Sequence, residues 1–335
     1  MPFLRSPRLS LIAASWLLLL LSACAENAPQ DFLQPEGPIA RRLDALWDIT
    51  FGIAVVIFFL VQGGLVFLVI RFRRRSDDES PKQITHNTKL ELVWTIIPVI
   101  LLAALAVPTV ATLFDLAEKP SGDVLEVHVL AKQWWWEYTY TDEDLVTANE
   151  LHIPIDRPVY LTMEADDVIH SFWVPKLAGK QDVTPGSTTF LTIEAETPGV
   201  YLGQCAEFCG LSHSRMRLKV FAHTEADFDR WVSDQKEDRK EPVGLAAQGE
   251  EVFLSGACVG CHVVGGTEAQ GRVGPDLTHF ASRSTFAGAI FDNTEANLVA
   301  WLRNPPAEKP GSRMPNLELS DGDIEALVAY LQSLE

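Results

Sequence analysis

The fourteen residues "GQCAEFCGLSHSRM" (203–216) gather Cys205, Glu207, Cys209, His213 and Met216. Thiolate, imidazole and thioether form the soft donor set that selects copper. Outside the cytoplasm two lone cysteines would by default form a disulfide, but a bridge needs none of those neighbours. A second histidine, His170, ends the apolar run in "DDVIHSFWVP"; alone it reads as a satisfied strand-end residue, and beside the loop it completes the donor set. Further on, "SGACVGCH" places Cys258, Cys261 and His262 in the C-x-x-C-H pattern, in which two thiols add to haem vinyl groups and the histidine ligates iron. An isolated C-x-x-C also fits a redox or zinc pair. Met314 offers a thioether to that iron or is a plain core residue, with His279 as the fallback ligand. His86, His128, His152 and His223 lack such company and read as structural or solvated, and Met163 reads as core.

These donors need rigid carriers. Period-two alternation in "DVLEVHVLA", "PVYLTMEA" and "TFLTIEAE", punctuated by "HIPIDRP", "DVTPGS" and "ETPG", predicts an antiparallel sandwich or barrel over about Asp123 to His223. The cysteine loop follows the strand-like "GVYL" and precedes "RLKVFA", so it joins two strands. A metal held by such a sheet has little to rearrange when its charge changes. "EADFDRWVSDQKEDRKEP" reads as a helix running into a charged linker over 225–242, and "VGPDL" as a turn after the haem motif. The C-terminus predicts a helix capped by Ser320 with Asp323, lined on one face by Ile324, Leu327, Val328 and Leu331.

The N-terminal part points to a membrane. Arg5 and Arg8, the apolar "LSLIAASWLLLLL" and the closing "LSAC" read as an export signal. Trp47 to Ile70 carries one charge, Asp48, and at about 1.5 Å per residue crosses a hydrocarbon core of roughly 30 Å. The cluster "RFRRR" (71–75) marks the cytoplasmic side. Leu92 to Phe114 returns the chain, placing everything from Asp115 outside. Two helices make a poor membrane core and call for a larger membrane partner. Loss of Arg5 and Arg8 with the leader takes the formal charge from −18 to −20, which argues against nucleic acid and suits a basic protein partner.

Residues 45–235 resemble subunit II of haem-copper cytochrome c oxidases, through the hairpin, the "QWWWEY" run, a histidine 35 positions before the first cysteine, and C-x-E-x-C-x-x-x-H-x-x-M. The resemblance implies a cupredoxin-like Greek-key domain over 120–224 holding the binuclear CuA centre. Cys205 and Cys209 would bridge its coppers, His170 and His213 would be terminal ligands, Met216 a weak one and the Glu207 carbonyl another. It also implies a Mg²⁺ or Mn²⁺ on the Glu207 side chain at the contact with the catalytic subunit. Trp134 matches the family's surface tryptophan for electron uptake, or is one of three stacked sheet aromatics. Glu91 in "KLELVWTIIP" matches a glutamate at the mouth of a proton path, or is a helix-start carboxylate favoured by the macrodipole. "LAKQWWW" departs from the family, which commonly has Gly-His before the Gln. "LSAC" resembles a lipobox, with leader 1–23 removed, Cys24 lipidated and 24–44 outside; an uncleaved anchor helix is the alternative. Residues 243–335 resemble a small class I cytochrome c with Met314 as sixth ligand, so all 5 cysteines are assigned without a disulfide.

The expected fold is thus membrane-anchored and multidomain, with a two-helix transmembrane hairpin over 45–115, the all-β domain, and a small all-α cytochrome c domain. The expected function is electron input to a proton-pumping terminal oxidase of the bacterial cytoplasmic membrane, with both redox domains on the periplasmic or extracellular side. Electrons from soluble cytochrome c or a quinol-oxidising complex would go to subunit I, accompanied by subunit III, and O₂ would be reduced in subunit I. The same motifs also fit the redox subunit of a CuA-containing nitric oxide reductase. A copper-binding or copper-delivery lipoprotein leaves the haem motif without a purpose, and a quinol oxidase subunit II lacks both sets of ligands.

Overall fold

The computed structural model describes residues 28–73 and 86–335, with Ser15 alone in the leader. The signal at 1–23, Cys24 and the end of the arginine cluster, Arg74 and Arg75, lie outside the described residues.

Among the described residues, two long helices come first. α1 spans Pro38–Arg71 and α2 spans Thr88–Ala117. Both are long and apolar enough to cross a membrane, and their apolar side chains face outward, Phe59 at 69% and Val107 at 72% exposure. Pro98 and Pro108 sit inside α2, as membrane helices tolerate. α1 starts nine residues before the expected Trp47. Its 34 residues run to about 50 Å at 1.5 Å per residue, beyond a hydrocarbon core of roughly 30 Å. The surplus serves as a dock: Ile39 packs on the β core, the Arg41 guanidinium pairs with Glu196, and Leu43 lies against Gly179. Gly37, just before α1, abuts the Glu194 carbonyl so closely that no side chain fits.

Ten strands follow: β1 Leu125–Lys132, β2 Trp135–Tyr140, β3 Leu145–Ala148, β4 Glu150–Pro154, β5 Val159–Ala165, β6 His170–Trp173, β7 Gln181–Val183, β8 Thr189–Ile193, β9 Gly199–Cys205 and β10 Arg217–His223. They form two five-stranded sheets, ordered β3-β2-β1-β5-β8 and β4-β10-β9-β6-β7. Alternate residues point inward as the period-two pattern predicts: Leu125, Val127 and Val129 of β1, and Val159, Leu161 and Met163 of β5, are all buried. The expectation of antiparallel sheets is corrected at two pairs, because β1 runs parallel to β5 and β4 parallel to β10. Alternation fixes which face is apolar and carries no information on the neighbour's direction. Here the chain changes sheets between β3 and β4, at Asn149, whose Oδ1 accepts the Trp136 N–H at 3.0 Å.

α3 (Glu225–Gln235), capped by Thr224, lays Phe228 and Val232 on the β core. After the linker come α4 (Leu245–Ser255), a two-residue ribbon of β11 (Thr285–Phe286) and β12 (Phe291–Asp292), α5 (Glu295–Arg303), α6 (Pro305–Glu308) and α7 (Asp321–Leu331). The ribbon is a small correction to the all-α expectation. α7 is capped as read, Ser320 Oγ accepting the Asp323 N–H at 3.1 Å, with Ile324, Leu327, Val328 and Leu331 buried. α4 crosses α7 where Gly249 lies on the Ala326 carbonyl. Gly249→Ala would push a methyl into that backbone and is expected to cost about 2 kcal/mol by overpacking. Calorimetry should show the C-terminal unit melting roughly 10 °C lower with the β-domain transition unmoved; equal melting would deny the close crossing.

Candidate copper and haem sites

Sheet geometry brings the soft donors together. Cys205 is the last residue of β9, His170 the first of β6, and Met216 immediately precedes β10. The base of the loop is closed by the Cys205 N–H donating to the Met216 carbonyl at 2.9 Å. Within it the sulfurs of Cys205 and Cys209 stand 3.7 Å apart, far beyond the ~2.05 Å of a disulfide. Cys205 Sγ lies 3.9 Å from His170 Nδ1, and Cys209 Sγ lies 3.6 Å from His213 Nδ1 and 3.8 Å from Met216 Sδ. Cys205 Sγ also lies 3.2 Å from the Glu207 carbonyl oxygen. All six residues read from the motif therefore meet in one place. His170, Cys205, Cys209 and Met216 are buried and His213 is half-buried. Among the described residues, His170, Cys205 and Cys209 form the group able to hold a metal ion, and the Glu207 carboxylate stands outside it.

The donors are prepared for a cation. The contact between the two sulfurs pushes the Cys205 thiol down, while the same contact and burial push Cys209 up. Thiolate is the ligand form, so binding a cation here would release thiol protons. Burial opposes a charged His170 imidazole, but its bonds to Asp167 and Cys205 outweigh that and raise its pKa. Asp167 accepts from His170 Nε2 at 2.8 Å. A carboxylate only accepts, so Nε2 carries the hydrogen and Nδ1 faces the sulfurs. Burial alone would raise the Asp167 carboxyl; the His170 bond and the Gln133 and Val168 N–H groups bring it below the usual range.

The second site lies in the C-terminal unit. Cys258 sits in the 3-10 turn Ala257–Gly260, with Cys261 and His262 directly after. His262 Nδ1 donates to the Pro275 carbonyl at 2.8 Å, leaving Nε2 for a ligand. Gly274 allows this approach, since a Cβ there would fall 2.5 Å from His262 Cε1. Burial pushes the His262 pKa down, favouring the neutral, ligating imidazole. Cys258, Cys261, His262 and Met314 line one largely apolar cavity with Phe253 and Trp301. Two thiols at its wall, an imidazole and a thioether, suit a covalently attached haem. His279 is displaced from its fallback role: it does not line the cavity, and its Nδ1 bonds the Glu335 carbonyl at 2.8 Å.

Trp134 corrects an expectation. It is 7% exposed rather than on the surface, because the C-terminal unit covers it. Its indole N–H donates to the Cys209 carbonyl at 3.0 Å, and Trp134 is among the residues that line the haem-type cavity. Glu91 Oε1 accepts the Asn87 N–H at 3.1 Å, so the helix-start role is present in the geometry. Among the unassigned histidines, His152 stacks on Trp231 at 4.3 Å and on Phe221 at 4.8 Å, and burial pushes its pKa down. Asp167, Lys309 and Arg313 were missed. Asp167, a carboxylate three residues before a ligand histidine, was open to notice; the two cations act across domains and leave no local signal.

Residues 143–222 match the family described as cytochrome C oxidase subunit II, periplasmic domain, and residues 25–112 match its transmembrane domain. Residues 246–335 match cytochrome c. Cytochrome c oxidase subunit 2 of Alkalihalophilus pseudofirmus is 39% identical over 329 residues, covering 96% of this chain and 95% of that protein. The same subunit of Bacillus sp. (strain PS3) is 38% identical over 341 residues, with 95% of each chain covered. That of Bacillus subtilis is 35% identical over 339 residues, again with 95% of each covered. This chain carries, in order, a pair of apolar helices, a copper-type loop on a β sandwich and a haem-type cavity, its relatives align with it almost end to end, and it belongs to the cytochrome c oxidase subunit II family.

Proposed function

We propose that Cys205 and Cys209 bridge a binuclear CuA centre completed by His170, His213, Met216 and the Glu207 carbonyl, and that Cys258 and Cys261 anchor a haem c held by His262 and Met314. The chain is the electron-input subunit of a haem-copper oxidase, and the two centres supply reversible one-electron exchange for that role. The observation that carries the reading is Trp134, whose indole N–H bonds the copper loop and which also lines the haem-type cavity. Asp167 keeps His170 Nδ1 facing the sulfurs, and Pro275 does the equivalent for His262. Burial of Cys205, Cys209 and Met216 keeps water from the thiolates, and β6, β9 and β10 hold them against movement.

Around this core the fuller reading places the chain in the bacterial cytoplasmic membrane with two passes and both redox domains outside. A cleaved 1–23 leader and a lipidated Cys24 would add an anchor. Subunit I, reducing O₂, and subunit III would pack on the helices; soluble cytochrome c or a quinol-oxidising complex would be the donor. Glu207, half-buried beside the loop, would take Mg²⁺ or Mn²⁺ at the subunit I contact, and Glu91 would stand at a proton path. The relatives' shared name favours O₂ over NO as the terminal substrate.

The oxidase complex should contain two coppers and one covalent haem c per copy of this chain. Electron paramagnetic resonance should show hyperfine structure from two equivalent copper nuclei, and the pattern of a single nucleus would remove the CuA assignment. Met314→Leu should alter the ferric haem spectrum and leave the copper signal intact. Identical haem absorbance in that variant would mean that another residue is the sixth ligand.

A further inference from the structure

The strap from Lys309 to Met314 belongs to the C-terminal unit by sequence, yet the copper-bearing domain holds it. Lys309, 4% exposed, donates from Nζ to the Trp134 carbonyl at 2.6 Å and to the Ala287 carbonyl at 2.7 Å. The buried Ser212 hydroxyl, within the copper loop, donates to the Pro310 carbonyl at 2.6 Å. Gly311, at φ +80°, lies flat on the Trp134 ring, where a Cβ would come within 2.6 Å of Cη2. Arg313 donates from Nη2 to Asp167 Oδ2 at 3.0 Å and to Gln133 Oε1 at 3.3 Å. Arg215 of the copper loop bonds the Glu308 carbonyl just before the strap. The strap's backbone N–H bonds, by contrast, are local, Lys309 to Pro305 and Ser312 to Lys309.

Asp167 is the junction, and its oxygens divide the work. Oδ1 accepts from His170 Nε2 and the Val168 N–H, both at 2.8 Å; Oδ2 accepts from the Gln133 N–H at 2.7 Å and from Arg313. One planar carboxylate therefore touches a copper-site imidazole on one side and the residue next to Met314 on the other. Arg313 is half exposed, with 51% of its side chain accessible, and ion pairs so placed add little stability. Its contribution is orientation, supplied by the fixed fork of a guanidinium.

We propose that Arg313 is a positioning residue that couples the two redox sites, fixing through Asp167 both the orientation of His170 and the seat of the strap that carries Met314. The proposal rests on the assignment of Met314 and His170 as ligands. Partners of ligand histidines typically change metal affinity or activity 10–100-fold when removed, and axial geometry and nearby charge both tune a haem.

The test uses the full chain in its assembled, copper- and haem-loaded complex. Arg313→Ala should lower the midpoint potentials of both centres, since it removes a cation beside each and leaves Asp167 with a surplus charge facing His170. It should also shift the copper resonance spectrum, weaken the far-red band of methionine-ligated ferric haem, and slow haem-to-copper transfer about tenfold. Arg313→Lys, which restores charge without the fork, should recover part of each change. Gly311→Ala, forcing the strap off Trp134 and with it Arg313 away from Asp167, should weaken the far-red band, slow the transfer and shift the copper spectrum in the same direction as Arg313→Ala. A haem change in Arg313→Ala with unaltered copper potential and spectrum would overturn the coupling, as would no change at either centre. Met314→Leu tests the ligand assignment separately: a normal haem spectrum there would refute the ligand, while the copper response to Arg313→Ala would still decide whether the strap reaches His170.

Discussion

The carbonyl oxygen of Cys209 accepts two hydrogen bonds, from Gln133 Nε2 at 2.7 Å and Trp134 Nε1 at 3.0 Å. Those two residues form the link between β1 and β2, so this one acceptor fastens the copper loop to the opposite sheet. Without it the middle of the loop 206–216 would lose its tie to that sheet and keep only its strand ends and the contacts of Ser212 and Arg215 with the C-terminal unit, with the entropy of the intervening residues opposing a single geometry. With it, Cys209, His213 and Met216 share one frame with Cys205 and His170. The same bond turns the Trp134 ring into the floor on which the C-terminal unit rests.

That unit is seated by buried polar groups. Glu150, 2% exposed, accepts from the Ser284 N–H at 3.1 Å and hydroxyl at 2.6 Å, and from the Thr285 N–H at 2.8 Å and hydroxyl at 2.5 Å. Lys309 answers from the other side; burial pushes its pKa down to about 7, while two carbonyl oxygens favour the ammonium. A buried charge stripped of its partners costs about 3–5 kcal/mol. Undocking would return both groups to water, so their burial adds little net adhesion. Its effect is selective, because a seat shifted by a few ångströms would leave a carboxylate or an ammonium stranded. Charge placement therefore discriminates between poses more than it strengthens any one of them.

Much of this was legible from residue order, and the boundary has physical causes. The copper loop, the haem motif, the Ser320 cap and the strand faces are written in spacing of a few residues, at the range over which local geometry acts. Cys205, Cys209, His213 and Met216 could be read together because one short loop carries them, and His170 because a ligand was missing. Parallel pairing of β1 with β5 was hidden, since Val129 beside Met163 looks the same in either strand direction. The burial of Trp134 was hidden as well: its cover, Gly311, lies far along the chain, and nothing near "QWWWEY" records it. Asp167 stood in plain view but looked like one of two loop aspartates. Its role depends on Arg313, 146 positions away.

The dock at the head of α1 ties these sites to the lipid. Between Pro38 and Gly52 the helix contains neither proline nor glycine, and its head is pinned to the sandwich at Ile39, Arg41 and Leu43. A rod clamped at one end and immersed at the other acts as a lever. A thicker or thinner bilayer alters the lean of such a rod, and the rod would then tip the sandwich and its riding haem unit as one piece.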